Sequence, residues 1–207
     1  WIQETDLDSI RTNLTEAREA LGRRGWVPRA TRMGGNFGSA ELMGVLENLG
    51  IEVDSSAMPG RKRRDDHCNF DWSETPRTAY HPALRDHRLP GTLARKIVEI
   101  PLSMAAVYAA YDDRPYPRYV DLSFHPDALQ PGLDALLQET DCLITDTHPS
   151  TVLPEVALEP HGLLSFSMGS FKANLAAVMN GCARNNRPLR FVTLSDPRLR
   201  PNHTTNK

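Results

Sequence analysis

Two histidines in this chain sit where chemistry is usually placed. His148 closes the run Leu143-Ile-Thr-Asp-Thr-His-Pro149, and His125 closes Leu122-Ser-Phe-His-Pro126. In each, an apolar stretch with strand character leads into His-Pro, so the imidazole stands at a strand end. An imidazole there suits proton transfer near neutral pH. The two compete for one role, with His148 preferred. Arg32 stands near the end of the stretch Trp26–Met33, which opens onto the turn Gly34-Gly35. Its planar fork would hold a carboxylate bidentately without losing charge. Asp71-Trp72 supplies a carboxylate beside an aromatic ring, and an exposed ring is a natural platform for a sugar. A third grouping, Asp146, His148 and His161, carries side chains able to hold a divalent ion. Asp65-Asp66-His67-Cys68 also has metal-capable groups, but four adjacent residues seldom converge on one ion, and it reads as a solvated loop. The neighbouring run Arg61–Arg64 reads as a solvated charge run that would attract an anionic glycan.

Positioning these groups requires a framework, and hydrophobic periodicity supplies one. Leu7, Ile10, Leu14, Ala17 and Leu21 recur at helical spacing, with Thr5 as the N-cap and Gly22 as the stop. Ser39 caps a second helix with apolar face Leu42, Val45, Leu46 and Leu49, ended by Gly50. Pro126–Thr140 predicts a third helix, and Phe171, Leu175, Val178, Met179 and Cys182 line a fourth. Strands are predicted at Trp26–Met33, Ile51–Ser55, Ile97–Met104, Tyr119–Phe124, Cys142–Thr147, Leu163–Ser167 and Arg190–Leu194. The segment from Met58 to about residue 95 is rich in Pro, Arg, Asp and His and reads as an irregular insertion, while 197–207 reads as a frayed tail. Alternating helices and strands specify an α/β class, and a (β/α) barrel is favoured over an open doubly wound sheet. In a barrel, chemistry gathers at the C-terminal strand ends, which is where Arg32, Asp71-Trp72, Pro101–Ser103, His125 and His148 fall.

Composition narrows the classes. The 207 residues fit a single domain, and 40% apolar with 24% charged content is ordinary for a globular chain. A net charge of −2 gives no global field for nucleic acid. No run approaches the ~20 apolar residues of a membrane-spanning helix. Three widely spaced cysteines make no disulfide framework. Neither compartment nor oligomeric state is legible, and no glycine-rich phosphate cradle is present.

Taken in order, Arg32-Met-Gly-Gly, Leu49-Gly-Ile-Glu-Val-Asp-Ser-Ser56, Phe70-Asp-Trp72 and Ile97-Val-Glu-Ile-Pro101 resemble the later two-thirds of a NodB-like polysaccharide deacetylase domain of the carbohydrate esterase family 4 type. The resemblance implies a partial or distorted (β/α)7 barrel. It implies that two or three strands and the metal-binding Asp and His-x-x-x-His motifs lie before Trp1. The implied activity is metal-dependent hydrolysis of acetyl groups on a poly- or oligosaccharide, with zinc, cobalt or manganese as the ion and no ligands identified in this chain. It assigns His148 as general acid, Arg32 as the arginine that positions the catalytic carboxylate, and Asp71 as its support. Trp72 would line the substrate groove, with His125 a competing strand-end histidine. Gly34 stands where many members carry proline. The alternative is a non-catalytic carbohydrate-binding relative that uses Phe70, Trp72, Tyr80, Tyr108 and Tyr116 for stacking.

Overall fold

The computed structural model describes residues 6–65, 69–108, 112–148 and 167–201. Its contacts divide the chain into two compact units, Trp1–Pro101 with Val192–Lys207, and Leu102–Phe191. The division falls inside the stretch expected to be one strand, Ile97–Met104. Pro101 explains the break, because a residue without an N–H cannot continue a ladder.

In the first unit, helix α1 (Leu7–Gly22) is capped by Asp6, whose carboxylate accepts the Ser9 N–H at 2.9 Å. The expected cap, Thr5, lies outside the described residues. Helix α2 (Ala40–Asn48) begins as expected at Ser39, whose hydroxyl accepts the Leu42 N–H at 3.0 Å. Leu42, Met43, Val45 and Leu46 are buried, and Gly50 turns the chain at a φ of 76° that a side chain would resist. Three short parallel strands, β1 (Ala30–Thr31), β2 (Val53–Asp54) and β5 (Val98–Glu99), pair in the order β1-β2-β5. Ala30, Val53 and Val98 share one row, and Thr31, Asp54 and Glu99 the next.

The expected irregular insertion contains structure. Strands β3 (Lys62–Arg64) and β4 (Asn69–Asp71) form an antiparallel hairpin. Beyond it, single bridges pair Tyr80 with Glu99, Pro82 with Pro90 and Ala83 with Ala94. Proline-rich sequence hid these pairings because it breaks the period-2 pattern without forbidding isolated bridges.

The second unit packs helices α3 (Pro126–Glu139) and α4 (Met168–Arg184) with the antiparallel pair β6 (Met104–Val107) and β7 (Tyr116–Tyr119). Its core holds Ala105, Val107, Val120, Leu122, Phe124, Leu129, Leu133, Leu136, Leu137 and Val178. Gly132 lets α3 approach β6, since a Cβ there would stand 2.2 Å from the Ala106 carbonyl oxygen. Ser167 caps α4 through the Ser170 N–H at 2.9 Å.

Three expected strands differ. The pairing strand lies at Tyr116–Tyr119 rather than Tyr119–Phe124, so the aromatic connection itself forms the ladder. Residues 142–148 are extended but irregular, tied by Ser103 N–H to Ile144 O at 3.0 Å and Asp146 N–H to Val120 O at 3.1 Å. Arg190–Leu194 forms no strand, although its apolar pattern has strand character. The stretch expected at Leu163–Ser167 falls outside the described residues except for Ser167. Both units mix helices and small sheets; among the described residues no sheet closes into a barrel. No described helix is long and apolar enough to cross a membrane.

Candidate functional site

The expected site residues divide between the units. Arg32, Asp71 and Trp72 belong to the first, and His125 and His148 to the second.

In the second unit the chain leaves β7 as Val120-Asp-Leu-Ser-Phe124, with alternate apolar side chains buried in the core. Asp121 is buried as well, at 3% exposure. Its Oδ1 accepts the Ser123 N–H at 2.9 Å and the Ser123 hydroxyl at 2.5 Å. Its Oδ2 has no donor within hydrogen-bonding distance among the described residues, but His148 Nδ1 stands 3.6 Å away. The His148 side chain is 58% exposed, so its ring faces solvent on one side and a buried carboxylate on the other. The Tyr119 ring lies 6.4 Å from it, tilted by 46°. A solvent-facing imidazole backed by a buried carboxylate has the arrangement of a proton-transfer pair. With the carboxylate on the Nδ1 side, a hydrogen on Nδ1 would face Asp121 Oδ2. Nε2 is then the nitrogen that serves a substrate.

Asn174 on α4 secures this arrangement from behind. It is fully buried, and its Nδ2 donates to Leu122 O at 2.8 Å and Phe124 O at 2.7 Å, on either side of Ser123. His125 takes a different place: it is the N-terminal flanking residue of α3, half exposed, with Asp127 Oδ2 4.0 Å from its Nδ1. That contact is solvent-screened and worth little. His148, rather than His125, has the buried partner.

In the first unit, Arg32 donates from Nε to Ser55 O at 2.8 Å and from an Nη to Ser55 Oγ at 3.0 Å. Asp71 pairs with Lys62 at 2.7 Å, stands 3.7 Å from Arg88, and accepts from Ser73. The Lys62 ammonium first, and the Ser73 donors next, hold its carboxyl well below the usual carboxylate range. The structure thus gives Asp71 to Lys62, where the resemblance implied support of Arg32.

Trp72 corrects an expectation more sharply. It is wholly buried, its indole N–H donating to Asn36 O at 2.9 Å and its ring edge-on to His87 at 4.8 Å. A ring with no exposed surface offers no stacking face, so Trp72 is a core residue here. Its burial has a role in the fold: it draws the Asp71-Trp72 segment onto the Gly34–Asn36 turn that follows Arg32. A Cβ at Gly38 would sit 2.6 Å from its ring, so only glycine fits beside it. His87, desolvated against the indole, has its pKa pushed down to about 4. Phe70 and Tyr80 are buried too, which leaves Tyr108 and Tyr116 as the exposed aromatics of the stacking set.

Beneath Arg32 and Ser55 lies a pair that motif reading did not join. Asp54 and Glu99 face each other in the β2–β5 ladder, both fully buried. Burial, then the neighbouring carboxyl of Asp54, raises the pKa of Glu99 well above the ordinary value. The signal was an acid inside each of two apolar strands, Ile-Glu-Val-Asp54 and Ile-Val-Glu99-Ile. Asp121, in Tyr-Val-Asp-Leu-Ser, carried the same signal.

The donor set among the described residues does not by itself furnish the ligands of the implied divalent ion. Among the described residues no three His, Cys, Asp or Glu side chains converge, and Asp121 with His148 offers two. His161 of the Asp146, His148 and His161 grouping lies outside the described residues, as do Asp66, His67 and Cys68. Comparison with known proteins returned no match to a family model, a curated protein or a solved structure.

Proposed function

We propose that this chain carries the proton-transfer half of a hydrolase that removes acetyl groups from a poly- or oligosaccharide, of the NodB-like deacetylase type. The observation that supports this most directly is the solvent-facing His148 with buried Asp121 3.6 Å behind its Nδ1. Deacetylation of an amide ends with the departure of an amine, which must gain a proton as the C–N bond breaks. His148 Nε2, backed by Asp121 on the Nδ1 side, supplies it. For an ester the same group protonates the departing alkoxide. Ser123 and Asn174 hold the carboxylate and its turn, so the ring is placed before the substrate arrives. In the first unit, the Gly34–Asn36 turn, Arg32 and the Ser55-Ser56 corner form a hydrogen-bonded scaffold through Met33 N–H to Ser56 Oγ at 2.8 Å and Asn36 Nδ2 to Ser56 O at 3.0 Å.

The test is acetate release, followed by proton magnetic resonance, from matched N-acetylated and O-acetylated oligosaccharides. It is run with and without added zinc, cobalt or manganese. Release from one of the two classes is the expected result. No release from either, under every metal condition, overturns the reading.

A further inference from the structure

The Asp54–Glu99 pair is not used by the proposed chemistry, yet two carboxyl groups are rarely placed face to face without access to water. One oxygen of each has a conventional donor: Ser56 Oγ–H gives to Asp54 Oδ1 at 2.9 Å, and Ala57 N–H gives to Glu99 Oε1 at 2.9 Å. Asp54 Oδ2 and Glu99 Oε2 are buried, and no N–H or other O–H among the described residues reaches them. Asp54 and Glu99 are direct partners in the parallel β2–β5 ladder, so their side chains leave adjacent strands on the same face. Ionised carboxylates are acceptors only, so a bond between them requires a proton. Two unscreened negative charges on adjacent strands would also repel at close range in a medium of low dielectric constant.

The Ser55 and Ser56 N–H groups favour the charge on Asp54 and those of Ala57 and Ser56 the charge on Glu99, but no cationic side chain among the described residues pairs with either carboxyl. Thr31 completes the same row on β1. After β1, Arg32 places its guanidinium on Ser55 O and Oγ. Tyr80 pairs with Glu99 through the backbone, 3.0 and 2.9 Å, while its phenol donates outward to His87 O at 2.9 Å. Burial pushes the Tyr80 phenol up in pKa, and Asp86 and His87 lie beyond it. Arg32, Tyr80, Asp86 and His87 are thus the charged or titratable groups bordering the pair.

We propose that Asp54 and Glu99 hold one proton between them in the folded protein, making the parallel sheet of the first unit a pH-responsive element that weakens as that proton is lost. Glu99 is the acid and Asp54 the carboxylate that accepts from it. In the unfolded chain both groups are ionised above the ordinary carboxylate range, so folding at neutral pH takes up a proton. A folded-state pKa raised above the unfolded one contributes stability that is fully present below the unfolded value and lost as pH rises through the folded value. For one proton, the folding equilibrium constant falls about tenfold per pH unit across that window.

The test uses the full chain and its Glu99→Gln variant, in which an amide stands permanently where the protonated acid stood. Infrared spectroscopy at pH 7 is expected to show the carbonyl band of a protonated carboxyl in the parent and to lose it in the variant. Hydrogen exchange at the β2 and β5 amides, corrected for intrinsic rate, is expected to lose protection about tenfold per pH unit in the parent, from pH 7 to the pH at which the band vanishes. The variant should lack that slope. Above pH 7 the His87 ring is neutral folded and unfolded, so it adds nothing to the comparison. Absence of the band at pH 7, or equal slopes in the two proteins, overturns the proposal. Should Glu99→Gln not fold, the parent's band decides alone, and Asp54→Asn provides the second slope.

Discussion

Asn174 offers the clearest test of how the proposed proton-transfer pair is held. Its side chain is fully buried on α4 and gives two hydrogen bonds, 2.8 and 2.7 Å, to the carbonyls of Leu122 and Phe124. Those carbonyls flank Ser123, whose N–H and hydroxyl both hold Asp121. Asn174→Ala removes both donors and leaves two carbonyls in a closed core. At about 1–3 kcal/mol for each buried group left unsatisfied, with partial relaxation, the loss should be about 2–4 kcal/mol. Asn174→Asp should cost more, because a carboxylate turns acceptor oxygens toward two carbonyl oxygens. Gln130→Ala is the control: its Nε2 reaches Asn174 Oδ1 only at 3.4 Å, so its removal should cost less than about 0.5 kcal/mol. The assay is urea unfolding by circular dichroism, with hydrogen exchange on α4 assigning the transition to the second unit. An Asn174→Ala protein within about 0.5 kcal/mol of the parent, or an Asp variant as stable as the Ala variant, would refute the reasoning.

Other expectations can be measured in the same way. Gly132→Ala should destabilise by about 1–3 kcal/mol despite the better helix propensity of alanine, since its Cβ would meet the Ala106 carbonyl oxygen at 2.2 Å. Gly169→Ala on α4, whose Cβ would find only Ser167 Oγ at 3.6 Å, should be neutral or stabilising by up to about 1 kcal/mol, and urea midpoints of the two variants make the comparison. His87, with its folded pKa lowered by burial to about 4, opposes protonation of the folded state. The unfolded chain gains a proton below about pH 6.5 while the folded one does not, so stability falls from there toward pH 4 by roughly 2–3 kcal/mol relative to His87→Gln. Denaturant midpoints of the two proteins across that range give the difference directly.

What could be read from the sequence follows the physics of each element. The four helices were legible because their periodicity and caps are local: Ser39 and Gly50 bound α2 where expected, and Leu129, Leu133, Leu136 and Leu137 mark the buried face of α3. Strand existence was legible for β1, β2 and β5, whose expected stretches contain them but run well beyond the two paired residues of each. The β3–β4 hairpin escaped because Lys62–Arg64 is fully polar, and pairing there rests on backbone hydrogen bonds rather than an apolar face. His148 was visible as a residue type at a segment end, but its partner was not. The Asp121–His148 contact joins residues far apart in sequence, and no local pattern encodes it. Trp72 shows the converse. Beside an acid and a serine it reads as a surface aromatic, while in the fold Gly38 makes room for it and Asn36 accepts its N–H. The Asp54–Glu99 pair likewise needs the register of two strands before its meaning appears.

In the proposed reaction His148, with Asp121 behind its Nδ1, delivers the proton to the leaving group. The most direct test of that role is the turnover of acetate release by the parent, His148→Gln and Asp121→Asn at matched folding and saturating oligosaccharide. A fall in kcat of about 10²–10⁴-fold is expected for His148→Gln. Asp121→Asn, which removes the carboxylate behind the ring, should bring a substantial loss as well. Turnover by His148→Gln equal to that of the parent would contradict that role.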